Sequence, residues 1–230
     1  MVDSSLWVVM PVKNLEDAKQ RLAGVLSGGE RRALFRAMLE DVLSALSLST
    51  GLAGVVAVTR DDEAAALAAR YGARVLEESA NRGHTAASRF GAAVLADEGV
   101  AGMVQLPADV PLVTPEDIEA LLQAHGPAPA VTLAPSRDQR GTNAVVCSPP
   151  DVLPLGFGDD SFFPHLARAR SLGIEPPVVR RPGLALDIDT REDLLTFLAT
   201  PSSTRTRDYL LASGIAERLR RSASAQSAAP

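Results

Sequence analysis

Short apolar runs rich in β-branched residues recur along this chain, at residues 6–10, 55–59, 74–76, 103–106, 130–134, 143–147, 178–181 and 184–188. Most are near-continuous rather than alternating, the pattern of strands covered on both faces. Between the first four lie segments of helical period: 29–46, with Leu34, Met38, Val42 and Leu46 on one face, then 61–71, then 85–97. Strand and helix alternate, which predicts a mostly parallel, mixed sheet flanked by helices in an α/β fold.

At 230 residues the chain has room for one sizeable core and a short appendage. We expect one domain over 1–200, a helical extension over 201–221 carrying Leu210, Leu211, Ile215 and Leu219, and a disordered small-residue tail over 222–230. The extension has two possible uses, packing on its own sheet or exchanging contacts with a second chain in a homodimer. Aromatics make up only 4%, too few for a platform of stacked rings. The net charge is −5 and the basic residues are dispersed until the last thirty positions, so no surface tracks a nucleic-acid backbone. The single cysteine, Cys147, lies in an apolar run and reads as a buried inert thiol. With no disulfide possible within the chain, a reducing cytoplasm is the expected setting. The apolar stretch 6–12 is too short for a membrane span and follows Asp3 rather than a basic segment, so neither signal peptide nor membrane partner is expected.

Two strand ends run directly into capped helices. Thr114-Pro115-Glu116-Asp117 sets a capping hydroxyl before a proline at the first helical position, and Thr190-Arg191-Glu192-Asp193 repeats that logic. In an open parallel sheet such carboxyl ends are where ligands bind. Asp109 sits on the first of these connections, followed by Pro111, and reads either as a turn residue or as a hard ligand for Mg²⁺. Asp187-Ile188-Asp189 occupies the second; on a strand its two carboxylates point to one side and Ile188 to the core. Repulsion between them is tolerable mainly beside a cation, although Asp189 and Thr190 also suit a helix start.

The first strand leads into Pro11-Val12-Lys13, and Lys19 and Arg21 follow before the long helix. Such cations suit a triphosphate or a solvated basic loop. A Gly-x-x-x-x-Gly-Lys-Ser/Thr arrangement is absent, which excludes a P-loop. Gly141-Thr142-Asn143 opens a strand and Gly158-Asp159-Asp160-Ser161 precedes a helix over 162–172, so hydroxyls and backbone N–H groups converge on one anion or serve turns and caps. His165, one turn into that helix, reaches the same anion or packs. In Asn81-Arg82-Gly83-His84-Thr85, Gly83 lacks the bulk that would keep a base or ribose off the backbone.

Taken in order, these segments resemble the 2-phospho-L-lactate or phosphoenolpyruvate guanylyltransferases of coenzyme F-420 biosynthesis. Pro-Val-Lys-x-Leu-x-x-Ala-Lys-x-Arg-Leu-Ala over 11–23 is the most specific match. Leu106-Pro-Ala-Asp109-Val-Pro-Leu112, Gly141-Thr-Asn143, Phe157-Gly158-x-x-Ser161-Phe162-x-x-His165 and Asp187-Ile-Asp189-Thr190 follow in the family's order. The resemblance spans 6 to about 198 and departs at Gly83-His84-Thr85, where members often carry Gly-Leu-Asn.

The resemblance implies a Rossmann-like, glycosyltransferase-A-type nucleotidyltransferase domain. It implies Mg²⁺ on Asp109, Asp187 and Asp189, and GTP against Pro11, Val12, Lys13, Gly83, Thr85 and Pro107, with Lys13, Lys19 and Arg21 on the triphosphate. Thr142, Gly158 and Ser161, with Asn143 and His165, would hold a small phosphorylated three-carbon acid. The acid's ionised phosphate then attacks the α-phosphorus of GTP in line with departing pyrophosphate, so no covalent nucleophile is needed. A downstream transferase of the same pathway would take the product. Two other readings compete: a molybdenum-cofactor or sugar-phosphate nucleotidyltransferase, and a non-catalytic nucleotide-binding module.

Overall fold

The apolar runs become strands because their β-branched side chains pack on a pleated surface that is buried on both sides. The computed structural model describes residues 6–80 and 82–227. Its strands are β1 (Leu6–Pro11), β2 (Leu52–Val58), β3 (Arg74–Leu76), β4 (Gly102–Gln105), β5 (Ala130–Pro135) and β6 (Thr142–Ser148). They form one sheet in the order β3-β2-β1-β4-β6-β5. The first four run parallel, with Val8 registered against Val55 on one side and Val104 on the other. Only β6 runs against its neighbours, β4 and β5. The mostly parallel, mixed α/β sheet read from the sequence is the one observed.

Helices cover both faces. On one lie α1 (Gly28–Leu48), α2 (Asp62–Arg70), α4 (Pro115–Ala124) and α7 (Arg191–Ala199), which bury Leu34, Met38, Leu67, Ile118 and Phe197. On the other lie α3 (His84–Asp97) and α5 (Phe162–Ser171), which bury Leu95, Phe162 and Ala169. Gly91 lets α3 approach closely, because a Cβ there would stand 2.5 Å from Val9 Cγ1. Ser27 and Glu30 form a capping box on α1, Thr114 and Asp117 on α4, Thr190 and Asp193 on α7. Each satisfies backbone donors that a helix start otherwise leaves open.

Along the sheet the chain steps from β1 to β2 and β3 on one side and returns to β4 on the other. The order therefore reverses between β1 and β4, and their carboxyl ends open a crevice at a topological switch point.

The last two expected strands do not form. Residues 178–181 contribute one parallel bridge, Val178 to Leu133, and 184–188 begin inside a single helical turn, α6 (Pro182–Ala185), before continuing extended. Pro176, Pro177 and Pro182 have no N–H to give a ladder. The C-terminal extension packs on the chain's own core. It forms α8 (Arg205–Ala212) and α9 (Ile215–Ser227), broken at Gly214, whose φ is +72°. Leu210, Ile215 and Leu219 join the same core as α1 and α7, while Leu211 is exposed. Asp41 of α1 anchors the start of α8, accepting from Arg205 N–H (2.8 Å), Thr206 N–H (2.9 Å) and the Thr206 hydroxyl (2.7 Å). Of the expected tail, 222–227 continue α9, and 228–230 lie outside the described residues.

Candidate active site

Asp109 stands on the connection from β4 to α4, and Asp187 and Asp189 on the stretch from α6 to α7. The two connections are stitched together: Ile188 N–H donates to the Asp109 carbonyl at 3.1 Å, with the Ile188 side chain fully buried. Asp117 strengthens the joint. Its carboxylate caps α4 through Thr114 N–H (3.1 Å) and accepts from Arg181 Nε (2.8 Å), just ahead of α6. Gly183 makes this approach possible, since a Cβ there would collide with the Asp117 carboxylate and stand 2.5 Å from the Leu112 carbonyl. Asn143, on β6, donates to Asp187 Oδ1 (3.1 Å) and the Leu184 carbonyl (2.9 Å). The carboxylates thus converge without the strand geometry expected of 187–189.

Lys19 is turned into this acidic group. It sits in the left-handed region at φ 56°, and its buried ammonium lies 2.5 Å from Asp109 Oδ2 and 2.7 Å from Asp189 Oδ1. Burial alone would lower its pKa, but the two carboxylates hold it above the ordinary lysine value. Burial would likewise raise Asp189, yet Lys19, with Arg21 and Lys13 beyond it, keeps that carboxyl below its usual range. Asp187 has no such cation. Burial, then the nearby Asp109 charge, pushes it up to about 6. Arg21 is exposed and pairs with Asp159 at 3.0 Å, and Lys13 is exposed. The three cations therefore do not form one surface, because a buried ammonium requires carboxylate partners.

Among the described residues no three His, Cys, Asp or Glu side chains are gathered to hold a metal ion, so the three aspartates do not stand as one ligand set. Lys19 engages both Asp109 and Asp189, and Asp187, which has no cation of its own, lies near enough to Asp109 to feel its charge. Mg²⁺ keeps several waters and takes one or two carboxylates together with substrate phosphates, and Asp109 and Asp187 fit this requirement.

Across the same cavity, about 810 Å³ in volume, lie Thr142, Asn143, Gly158 and Ser161. Ser161 does not cap α5 with its side chain. Its Oγ instead accepts from Thr142 N–H (3.0 Å) and donates to Thr142 Oγ1 (3.2 Å). His165 is fully buried and does not line the cavity. Its Nε2 accepts from Gly156 N–H (3.0 Å), and burial lowers its pKa to about 4. A neutral ring accepting at Nε2 carries its proton on Nδ1, which then donates to Thr142 Oγ1 at 3.0 Å. Thr142 Oγ1 thus accepts two bonds and keeps its own hydrogen to give away.

A second cavity, about 240 Å³, adjoins the first through Pro11, Lys13 and His84 and is also lined by Val12, Asn14, Arg60, Glu78 and Gly83. Gly83 caps α3 at φ +88°, a conformation natural to glycine. Burial holds His84 near pKa 4, its Nε2 lies 3.0 Å from Gln105 Nε2, and its ring meets Phe157 edge-on. Thr85 is not a cavity wall; its Oγ1 accepts from Phe157 N–H at 2.9 Å, tying the two sides together. Pro107 lines the larger cavity. Asn81 lies outside the described residues.

Residues 6–228 match the model of the family described as Guanylyl transferase CofC like. The chain belongs to this family. It is 38% identical over 191 residues to the phosphoenolpyruvate guanylyltransferase of Conexibacter woesei, covering 83% of this chain and 86% of that protein. It is 33% identical over 202 residues to the 2-phospho-L-lactate guanylyltransferase of Methanothermobacter thermautotrophicus, covering 88% of each. Over 196 residues it is 33% identical to the 3-phospho-D-glycerate guanylyltransferase of Colwellia psychrerythraea, covering 84% and 92%. Among solved structures, a nucleotidyl transferase from Methanothermobacter superposes with a TM-score of 0.60 at 18% identity, covering 91% of this chain and 99% of that one. At that identity the likeness concerns the fold alone.

In this guanylyl transferase, then, Asp109, Asp187, Asp189, Lys19, Thr142 and Ser161 share one crevice at the switch point. Arg60 and Glu78, at the carboxyl ends of β2 and β3, escaped the sequence reading. Both flank strands, where single charges are ordinary, and only the sheet order brings them to one cavity.

Proposed function

We propose that the chain transfers GMP from GTP to the phosphate of phosphoenolpyruvate, releasing pyrophosphate, as a step of coenzyme F-420 biosynthesis. The observation that carries this reading is the convergence of Asp109, Asp187 and Lys19 at the switch-point crevice, facing Thr142 across one cavity. The higher identity to a relative named for phosphoenolpyruvate than to those named for the other two acids supports this acceptor.

Asp109 and Asp187 would hold Mg²⁺. When bound, the ion neutralises the negative charge that triphosphate, acceptor and aspartates bring to one point. Lys13 and Arg21 stand at the cavity mouth for the triphosphate. Lys19, buried and paired with both, fixes Asp109 and Asp189 in place. The hydroxyl hydrogen of Thr142 is presented to the acceptor by the His165 and Ser161 bonds, alongside backbone N–H groups of the segment from Gly158.

The acceptor's phosphate oxygen is already ionised at neutral pH. It attacks the α-phosphorus, a new phosphorus–oxygen bond forms, the bond from that phosphorus to the bridging oxygen breaks, and pyrophosphate departs with the electron pair. Positioning and charge neutralisation suffice. No covalent nucleophile is required, and the only cysteine is buried with its thiol pushed up to about 12. The product is a mixed anhydride for a downstream transferase of the same pathway to consume.

The test is pyrophosphate release by the purified protein with GTP, Mg²⁺ and each of phosphoenolpyruvate, 2-phospho-L-lactate and 3-phospho-D-glycerate. Release that depends on GTP and is fastest with phosphoenolpyruvate is expected. A different preferred acid would overturn the acceptor, and no release with any of them would overturn the reaction.

A further inference from the structure

The geometry points to Glu78 and Arg60 as the residues that read the base of the nucleotide, an assignment that rests on the guanylyl-transfer reading above and extends it to the choice of guanine.

The smaller cavity continues the catalytic crevice on the side away from the acceptor, sharing Pro11, Lys13 and His84 with it. Arg60 and Glu78 line it just beyond the ends of β2 and β3. In the order β3-β2-β1-β4, the end of β3 is three strand spacings from that of β4, about 14 Å. Phosphates at the Asp109 end of the crevice therefore leave the base at the Glu78 end.

The lining is selective in its chemistry. Guanine presents two adjacent donors, N1–H and the N2 amino group, and two adjacent acceptors, O6 and N7. A carboxylate only accepts and matches the first pair; a guanidinium only donates and matches the second. Adenine offers an acceptor at N1 where a carboxylate needs a donor. Glu77 Oε1 stands 3.6 Å from Arg60 Nε, an ion pair between exposed side chains beside the cavity. Lys13 and Asn14 complete the wall, and Gly83, where a Cβ would meet nothing within 4 Å, leaves that wall open to a flat ring.

The experiment measures equilibrium binding of GTP, ITP and ATP to the full chain with Mg²⁺ present, in the unaltered protein and in Glu78→Gln and Arg60→Ala. ITP keeps O6 and N7 and lacks only the N2 amino group. The unaltered protein should favour GTP over both. Glu78→Gln should weaken GTP by about 10- to 100-fold, the discrimination that one bidentate base contact provides, and bring the GTP-to-ITP ratio close to one. Arg60→Ala should weaken GTP and ITP alike. Unchanged ratios in a folded Glu78→Gln protein, or no GTP binding by the unaltered one, would overturn the assignment. Selective GTP binding without pyrophosphate release would instead sink the transfer reading and leave the base site standing. Turnover with unaltered base ratios would do the reverse.

Discussion

Lys19 Nζ lies 2.5 Å from Asp109 Oδ2 and 2.7 Å from Asp189 Oδ1, although Lys19 precedes these residues by 90 and 170 positions. One buried ammonium thus joins the connection after β1 to the two aspartate-bearing connections. Removing it leaves two carboxylates facing each other without compensation. Breaking a buried pair typically costs about 3–5 kcal/mol, and solvent at Asp189, whose side chain is 40% exposed, reduces this to about 2 kcal/mol. Lys19→Met should therefore lower unfolding stability by about that amount in denaturant titrations. A loss below about 0.5 kcal/mol would show that the pair contributes nothing.

Asp187 should behave in the opposite sense. Its folded pKa of about 6 lies above the ordinary 3.8, so the folded chain binds its proton more tightly than the unfolded one does. Its ionisation destabilises the fold increasingly between about pH 4 and pH 6, and the penalty is then constant, at about 3 kcal/mol by 1.36 kcal/mol per unit. Asp187→Asn should raise the melting temperature at pH 7.5, lose that advantage near pH 4, and reduce pyrophosphate release. Equal stability of the two proteins across this range would contradict the assigned burial and crowding.

His165 should govern the acceptor through Thr142. Replacing it with leucine removes the donor to Thr142 Oγ1 and frees that hydroxyl to turn inward. One hydrogen bond of this kind is worth about 1–1.5 kcal/mol, so KM for the phospho-acid should rise about tenfold while KM for GTP changes less than twofold. Equal changes in both constants would assign His165 a general structural role.

Asp41 tests the C-terminal helices. Its three bonds to Arg205 and Thr206 stand far from the crevice. Asp41→Ala should destabilise the protein by about 2–4 kcal/mol, from the buried donors left unmatched, with kcat and KM preserved at a temperature where it remains folded. Altered kinetic constants with unaltered stability would reverse this assignment.

Local chemistry made much of the fold legible. Thr114 and Thr190 announce helix starts because capping is decided within four residues, and continuous apolar runs mark strands covered on both faces. The rest depends on partners distant in sequence. Ser161 reads as an anion ligand or a cap, and its hydroxyl is engaged by Thr142; Lys19 reads as a phosphate ligand or part of a solvated loop, and its ammonium is buried between aspartates. Residues 184–188 carry the composition of a strand, but Pro182, and the close seating of Gly183 on Asp117, make a helical turn there. Glu78 and Arg60 become neighbours of the crevice only once β2 and β3 are known to lie beside β1.

The reversal of β6 has a consequence for how such a molecule diversifies. Because β6 runs against the sheet, its first residues, Thr142 and Asn143, arrive at the edge where β1 and β4 end, and the hairpin from β5 delivers them without involving β1, β2 or β3. In the proposed reaction the acceptor grip is therefore a replaceable cassette, while the nucleotide side is built into the parallel half. Relatives named for three different acids are what such a division of labour allows, and a graft of residues 136–161 from one of them should carry acceptor choice with it and leave base choice behind.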